Sequence, residues 1–336
     1  MNTGIDFSPA SPSIESQQNY GECEFPLVFS NETNADREAT FRWVGENRAK
    51  LKSLATAHGA ILLRNFGVGS AEDFDRMIEL LDVANFPYKK SLSNAVRVNY
   101  TERVFSANEA PPQVKIFLHH EMAQTPLFPT RILFFCEQAA EQGGATPICR
   151  SDVLFERVRM EVPQFINSLA RYGLKYSNVM PADDDRNSGM GRSWRSTLGV
   201  DSKEQAQSRL RELGYAYTWL AGDCLRATTP TLPAIRQLAD GRCTLFNQLI
   251  AAYSGWSDDR NDPSDAIRLG NEQKLDAEGV GQLCQIADEL TFEVAWQDGD
   301  VAFLDNTVAM HGRRPFMGKR RVLASLADME THSFDA

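Results

Sequence analysis

Histidine is scarce in this 336-residue chain, with five copies, and cysteine is little commoner, with six. None of the cysteines (Cys23, Cys136, Cys149, Cys224, Cys243, Cys284) forms a C-x-x-C pair. That excludes a zinc ribbon or a disulfide framework and fits a reduced, cytoplasmic protein. Basic charge is also short: 35 Lys and Arg against 45 Asp and Glu leave a net charge of −10 and a pI near 5.1. A broad nucleic-acid-binding face, which needs excess basic charge, is therefore excluded. No apolar run approaches the ~18 residues of a membrane helix. The N-terminus lacks the basic and apolar regions of a signal peptide, so no membrane partner is expected. What remains is ordinary globular composition, 42% apolar and 24% charged.

Length alone suggests two domains of ~150 residues each, but the pattern of elements argues for one. Residues 1–22, rich in Ser, Pro, Asn and Gln, read as a flexible N-terminal arm, and 23–336 as a single domain. Helical periodicity covers 36–58 and 71–81, with a buried strand at 60–66 between them. Strand signals dominate 84–150, with 114–122 and 132–136 the clearest. Helices follow at 152–160, 162–172, 202–213 and 280–290, with strand-like runs at 215–220 and 243–250. The polar stretch 181–192 has the character of a lid. Strands return at 290–296, 301–304 and 321–326. The expectation is a β-rich α+β fold with flanking N-terminal helices and a helical or lid insertion over about 151–290.

The scarce histidines point to the chemistry. In a strand, residues i and i+2 share a face, so His119 and Glu121 present an imidazole and a carboxylate together, while His120 turns away. His311 offers a third ligand. Two histidines and one carboxylate on one face of a metal leave three positions open, as in non-haem Fe(II) oxygenases. A zinc-protease reading fails because H-E-x-x-H needs a histidine where Gln124 stands. The Gly143-Gly144-Ala145-Thr146 turn lacks the Lys of a phosphate loop. A hydroxyl at Thr146 and a guanidinium at Arg321 are suited to clamp a carboxylate. Taken singly, these are an ordinary hairpin turn and a surface arginine. Gly67-Val68-Gly69 resembles a dinucleotide loop, but Glu72 replaces its third glycine and would repel a pyrophosphate.

As an ensemble, His119-x-Glu121, the Gly-Gly-x-Thr146 turn, Trp296-Gln-x-Gly299-Asp300 and Asp305-Asn306…His311-Gly-Arg…Arg320-Arg321 resemble the TauD/TfdA family of Fe(II)/2-oxoglutarate-dependent dioxygenases. They are most similar to its SyrP-like and clavaminate-synthase-like branch. The resemblance spans about 55–330 and implies a double-stranded β-helix (jelly-roll, cupin-like) core. It implies His119, Glu121 and His311 as iron ligands, Arg321 on the distal carboxylate of 2-oxoglutarate with Thr146 assisting, and O2 as co-substrate. Ser325 stands where the taurine enzyme has a sulfonate-binding arginine, which argues against a sulfonate substrate, and Glu121 argues against halogenation. Gln124, Arg192, Trp194, Asn247 and Arg313 are candidate substrate contacts, and His120 is read as a packing residue.

The expected reaction is hydroxylation of an amino-acid-like or secondary-metabolite small molecule, with release of succinate and CO2. Desaturation or oxidative cyclisation by the same centre, and a non-catalytic cupin-like metal- or ligand-binding protein, are the alternatives. Free or carrier-tethered substrate, and monomer or homo-oligomer, stay open.

Overall fold

Two sheets of unequal size form the centre of the structure, a computed structural model that describes residues 7–8 and 14–332. The larger has six strands in the order Leu27–Ser30, Ala60–Arg64, Val301–Asp305, Leu127–Gln138, Arg321–Thr331 and Phe105–Ser106. Its first pair is parallel and the others are antiparallel. The smaller sheet is antiparallel throughout, in the order Thr291–Val294, Thr146–Arg150, Ala309–Arg313 and Ile116–His119. From Phe105–Ser106 to Thr146–Arg150, and again from Thr291–Val294 to Arg321–Thr331, the chain alternates between the two sheets, which closes both around a shared core. This is the jelly-roll.

The strand Leu127–Gln138 shows why its middle, 132–136, reads as an unbroken apolar run. Ile132, Phe134 and Cys136 point inward to meet Ile148, Phe292 and Ala309 of the smaller sheet. Leu133 and Phe135 point outward, under Phe41, Val44, Phe74 and Ile78 of the N-terminal helices. With both faces covered, alternation disappears. Each fully buried side chain of this size contributes roughly 1.5–3 kcal/mol.

The helical run at 36–58 is two helices, Arg37–Glu46 and Arg48–His58. They break at Asn47, whose amide Nδ2 donates to the Trp43 carbonyl at 3.0 Å, a local bond that competes with helix continuation. The expected N-terminal arm includes paired and buried residues. Gln18–Tyr20 pairs with Cys23–Phe25, and Phe7 is buried with ring centroids 5.3 Å from Trp43 and 5.0 Å from Phe66. Residues 1–6 and 9–13 of that arm lie outside the described residues.

The 151–290 segment is less helical than its sequence suggests. Besides helices such as Ser151–Glu161, Pro163–Tyr172 and Ala277–Glu289, it holds its own antiparallel sheet, ordered Ala216–Trp219, Leu225–Thr228, Leu174–Met180 and Ile267–Leu269. Leu174, Tyr176, Leu225 and Ala227 face inward and alternate with Lys175, Ser177, Arg226 and Thr228. That polar half masks the strands in a search for apolar runs. The run at 243–250 is a strand only over Cys243–Thr244, and Leu249–Gly255 is helical. This helix lies over Ile116–His119, the end strand of the smaller sheet, so closely that a Cβ at Gly255 would sit 2.7 Å from the Phe117 ring. Among the described residues, no helix is long and apolar enough to cross a membrane, and all six cysteines are free.

Candidate active site

His119 and His311 are register partners across two antiparallel strands, so their rings meet, with centroids 4.4 Å apart. A register shift beside this pair places both Ile116 and His119 on the cavity wall. The strand ends at His119, and Glu121 opens the turn that follows. Asn306 fixes the Glu121 backbone there, its Oδ1 accepting from the Glu121 N–H at 2.8 Å and its Nδ2 donating to the Glu121 carbonyl at 3.0 Å. The Glu121 Oε2 then lies 3.9 Å from His119 Nε2 and 3.7 Å from His311 Nε2. One ligand atom from each of the three residues lies within 4.8 Å of the others.

The donor set suits a divalent metal. Burial pushes both imidazoles below their ordinary pKa, furthest for His311, although Glu121 partly offsets this at His119. Both rings are therefore neutral near pH 7, with lone pairs available. His119 Nδ1 lies 2.8 Å from the Phe117 carbonyl, which fixes the proton on that nitrogen and directs Nε2 at the cluster. His120 does turn away. It is fully buried between the Asn306 carbonyl and Ser151 Oγ, and burial pushes its pKa down to about 3.

Two adjoining cavities share the wall formed by Arg97, Asn108, Ile116, His119 and Glu121. The smaller, about 40 Å³, also holds His311, Thr146 and Arg320. The larger, about 350 Å³, extends to Lys115, Gln248, Asp259 and the 185–190 loop.

Arg321 does not line either cavity. It is exposed, pairs with Glu137 at 2.6 Å and lies 4.7 Å over the Tyr100 ring. Its neighbour Arg320 faces in, with Nε 2.9 Å from the Gly144 carbonyl and Nη2 3.4 Å from Thr146 Oγ1. Among the described residues no carboxylate pairs with Arg320, and burial, helped by the charge of Arg313, lowers its pKa only to about 10. It faces the small cavity as a charged guanidinium. Trp296 Nε1 donates to Thr146 Oγ1 at 2.9 Å. Gly144, at φ +69°, allows the turn to lie against Arg320, since a Cβ there would come within 3.0 Å of the arginine side chain. A register shift between Arg321 and Val322 decides which arginine faces inward, and counting residues from His311 cannot reveal it.

The other candidate contacts separate. Arg313 lines the smaller cavity, but its guanidinium is committed to the carbonyls of Ala110, Pro111 and Val114. Gln124 is buried and lines a third cavity of about 30 Å³, which adjoins the larger one through Asn94 and Trp256. Arg192 and Trp194 line none of these spaces. Arg192 holds Ser91, Ser93 and Ser196, and Trp194 is a core residue whose Nε1 donates to the Asp223 carbonyl at 3.0 Å. Asn247 spends its amide on Ala234 and Leu249, and the adjacent Gln248 faces the larger cavity.

The 181–192 loop lines the larger cavity over 185–190 and is tied to the 258–260 segment. Arg260 bridges Asp185 and Asp258, and Ser188 Oγ donates to Asp258 at 2.7 Å. Arg97, unmarked by any motif, joins Arg320 and Gln248 as a cavity residue that the sequence did not single out.

A model of the taurine catabolism dioxygenase TauD, TfdA family matches residues 25–326. The chain is 41% identical over 277 residues to a clavaminate synthase-like protein of Arabidopsis thaliana, covering 82% of this chain and 83% of that one. It is 24% identical over 293 residues to the dapdiamide synthesis protein DdaC of Enterobacter agglomerans, covering 83% and 84%. In fold it is similar to PvcB of Pseudomonas aeruginosa, an Fe, alpha-ketoglutarate dependent oxygenase, with a TM-score of 0.51, 14% identity, and 97% and 92% of the two chains covered. Asparagine oxygenase in complex with Fe(II), 3-hydroxyasparagine and succinate gives a TM-score of 0.52 at 12% identity, covering 87% and 83%. These matches set aside the non-catalytic cupin-like alternative. The chain belongs to the TauD/TfdA family and is an Fe(II)/2-oxoglutarate-dependent dioxygenase.

Proposed function

We propose that His119, Glu121 and His311 hold the Fe(II), and that Arg320 with Thr146 holds the distal carboxylate of 2-oxoglutarate. The 350 Å³ cavity then receives a small amino-acid-like or secondary-metabolite substrate, which is hydroxylated at an unactivated C–H bond. The observation that carries this reading is the shared wall: His119 and Glu121 of the ligand cluster line both the small cavity that holds Arg320 and the larger one beside it.

Bound there, iron supplies O2 activation coupled to the oxidative decarboxylation of 2-oxoglutarate, one oxygen atom going to succinate and the other to the substrate. The protein's part is placement. Arg320 has a hydrogen-bonding fork suited to a carboxylate, and Thr146, already accepting from Trp296, has a hydroxyl proton left to donate. Gln248, Asn108 and the 185–190 loop orient the substrate and wall it from water. The dapdiamide synthesis role of DdaC supports a nitrogen-containing secondary metabolite as substrate class.

Anaerobic addition of Fe(II) and 2-oxoglutarate should give a weak visible charge-transfer band, absent in His119→Ala and Glu121→Ala. A band that survives both substitutions would refute the assignment. A substrate screen following succinate release and product mass reads the outcome. Gain of one oxygen marks hydroxylation; loss of two hydrogens marks desaturation or ring closure.

A further inference from the structure

Arg97 stands in the wall common to both cavities. Its Nη2 lies 3.0 and 2.9 Å from the two carboxylate oxygens of Glu121, and both side chains are almost fully buried. Its guanidinium carbon packs against one side of two neighbouring rings, 4.7 Å from the centre of Tyr88 and 5.2 Å from that of Phe105, the two ring centres being 5.0 Å apart. Tyr88 is pinned in turn by its hydroxyl on the Ala95 carbonyl and by Arg192, 4.8 Å from its ring. The cation is thus built in against a carboxylate that the proposed metal also needs.

Two roles are open to such a group, and they differ in sign. A scaffold that merely presents Glu121 would strengthen metal binding. A counter-ion competes with the metal for the same oxygens, repels a divalent cation at close range, and keeps one oxygen for itself. The geometry favours the second. Nη2 spans both oxygens, and the guanidinium, almost fully buried and packed against the Tyr88 and Phe105 rings, has little room to retreat.

We propose that Arg97 is a positioning residue that limits Glu121 to one oxygen on the metal. It weakens divalent binding and, in exchange, keeps a coordination position open for 2-oxoglutarate. This rests on the assignment of His119, Glu121 and His311 as the metal site. With Arg97 gone, Glu121 is left as an unpaired buried carboxylate, free to turn both oxygens on the metal, so metal should bind more tightly and 2-oxoglutarate less tightly.

The test uses the full-length protein and Co(II) under anaerobic calorimetry, first alone and then followed by 2-oxoglutarate. Arg97→Gln should bind Co(II) at least about tenfold more tightly and 2-oxoglutarate at least about tenfold more weakly, second-layer effects of the usual size. Arg97→Lys, which keeps the charge, should return both values toward wild type. If Arg97→Gln does not fold, Arg97→Lys carries the test, because one ammonium lacks the fork. It should then shift both affinities in the same opposed directions by about threefold. Co(II) affinity that is unchanged or lower in the variant overturns the proposal, as does a parallel loss of both affinities. Wild-type protein that binds no Co(II) defeats the metal-site assignment, and this inference with it. Wild-type binding without the opposed shifts defeats the inference alone.

Discussion

Asn306 grips Glu121 by both sides of its backbone, accepting from its N–H and donating to its carbonyl, and its Nδ2 also donates to the Pro129 carbonyl at 2.6 Å. One amide thereby ties the turn bearing the carboxylate to the segment that leads into His311.

Replacing Asn306 by Asp keeps the acceptor but removes both donors, leaving two buried carbonyls facing a carboxylate. The expected cost is about 3 kcal/mol in unfolding free energy, with Co(II) affinity lowered about 10- to 100-fold. Urea unfolding and calorimetry check the two numbers. An Asp variant with wild-type metal affinity would show that the clamp does not position the ligand.

Arg320 and Arg321 offer a paired test, since neighbours in sequence face opposite ways. Arg320→Gln should raise the concentration of 2-oxoglutarate needed for half-maximal binding at least about 100-fold, as expected for a lost buried charge pair. Arg321→Gln, removing an exposed pair with Glu137, should change it less than about twofold. The reverse pattern would restore Arg321 to the site.

Gly312 lies beside His311 where the two ligand-bearing strands come close. A Cβ there would meet the Ile116 carbonyl oxygen at 2.5 Å and Pro147 at 3.1 Å. Gly312→Ala should therefore push the strands apart, costing about 1–3 kcal/mol and weakening Co(II) binding. Unchanged melting temperature and metal affinity would contradict that close approach.

His120 sets a pH dependence. Burial holds its folded pKa at about 3, against about 6.5 for a free imidazole. The unfolded chain binds the proton more readily, so stability is intact above pH 6.5 and is lost as pH falls toward 3. Between pH 7.5 and 5 this one group accounts for about 2 kcal/mol. In urea titrations of the metal-free protein, His120→Gln should show a pH slope shallower by that amount. Equal slopes would assign the acid lability to other groups.

The proposed ligand pair was legible in the sequence from its two-residue spacing, although the strand ends at His119 and Asn306, rather than strand alternation, places Glu121. The outer architecture was legible from apolar runs. What escaped depended on local geometry. Beside Arg320 and Arg321 a register shift decides which arginine faces inward, and Asn247 and Gln248 lie outside any strand, so no periodicity tells which of them faces the cavity. Arg97 carries no periodic signal, since its role arises from Tyr88, Phe105 and Glu121 meeting in three dimensions. The insertion's sheet was hidden because its outward residues are polar.

The helix Leu249–Gly255 does two jobs at once. Ala251 and Gly255 line the larger cavity, and the same helix covers the end strand that carries His119. Uncovered, that strand would offer unpaired backbone groups as a template for another chain. Altering this helix to admit a different substrate therefore also loosens a guard against self-association. Variants that widen the cavity here should be screened for aggregation as well as turnover, and an exchanged insertion must bring its own cover for that edge.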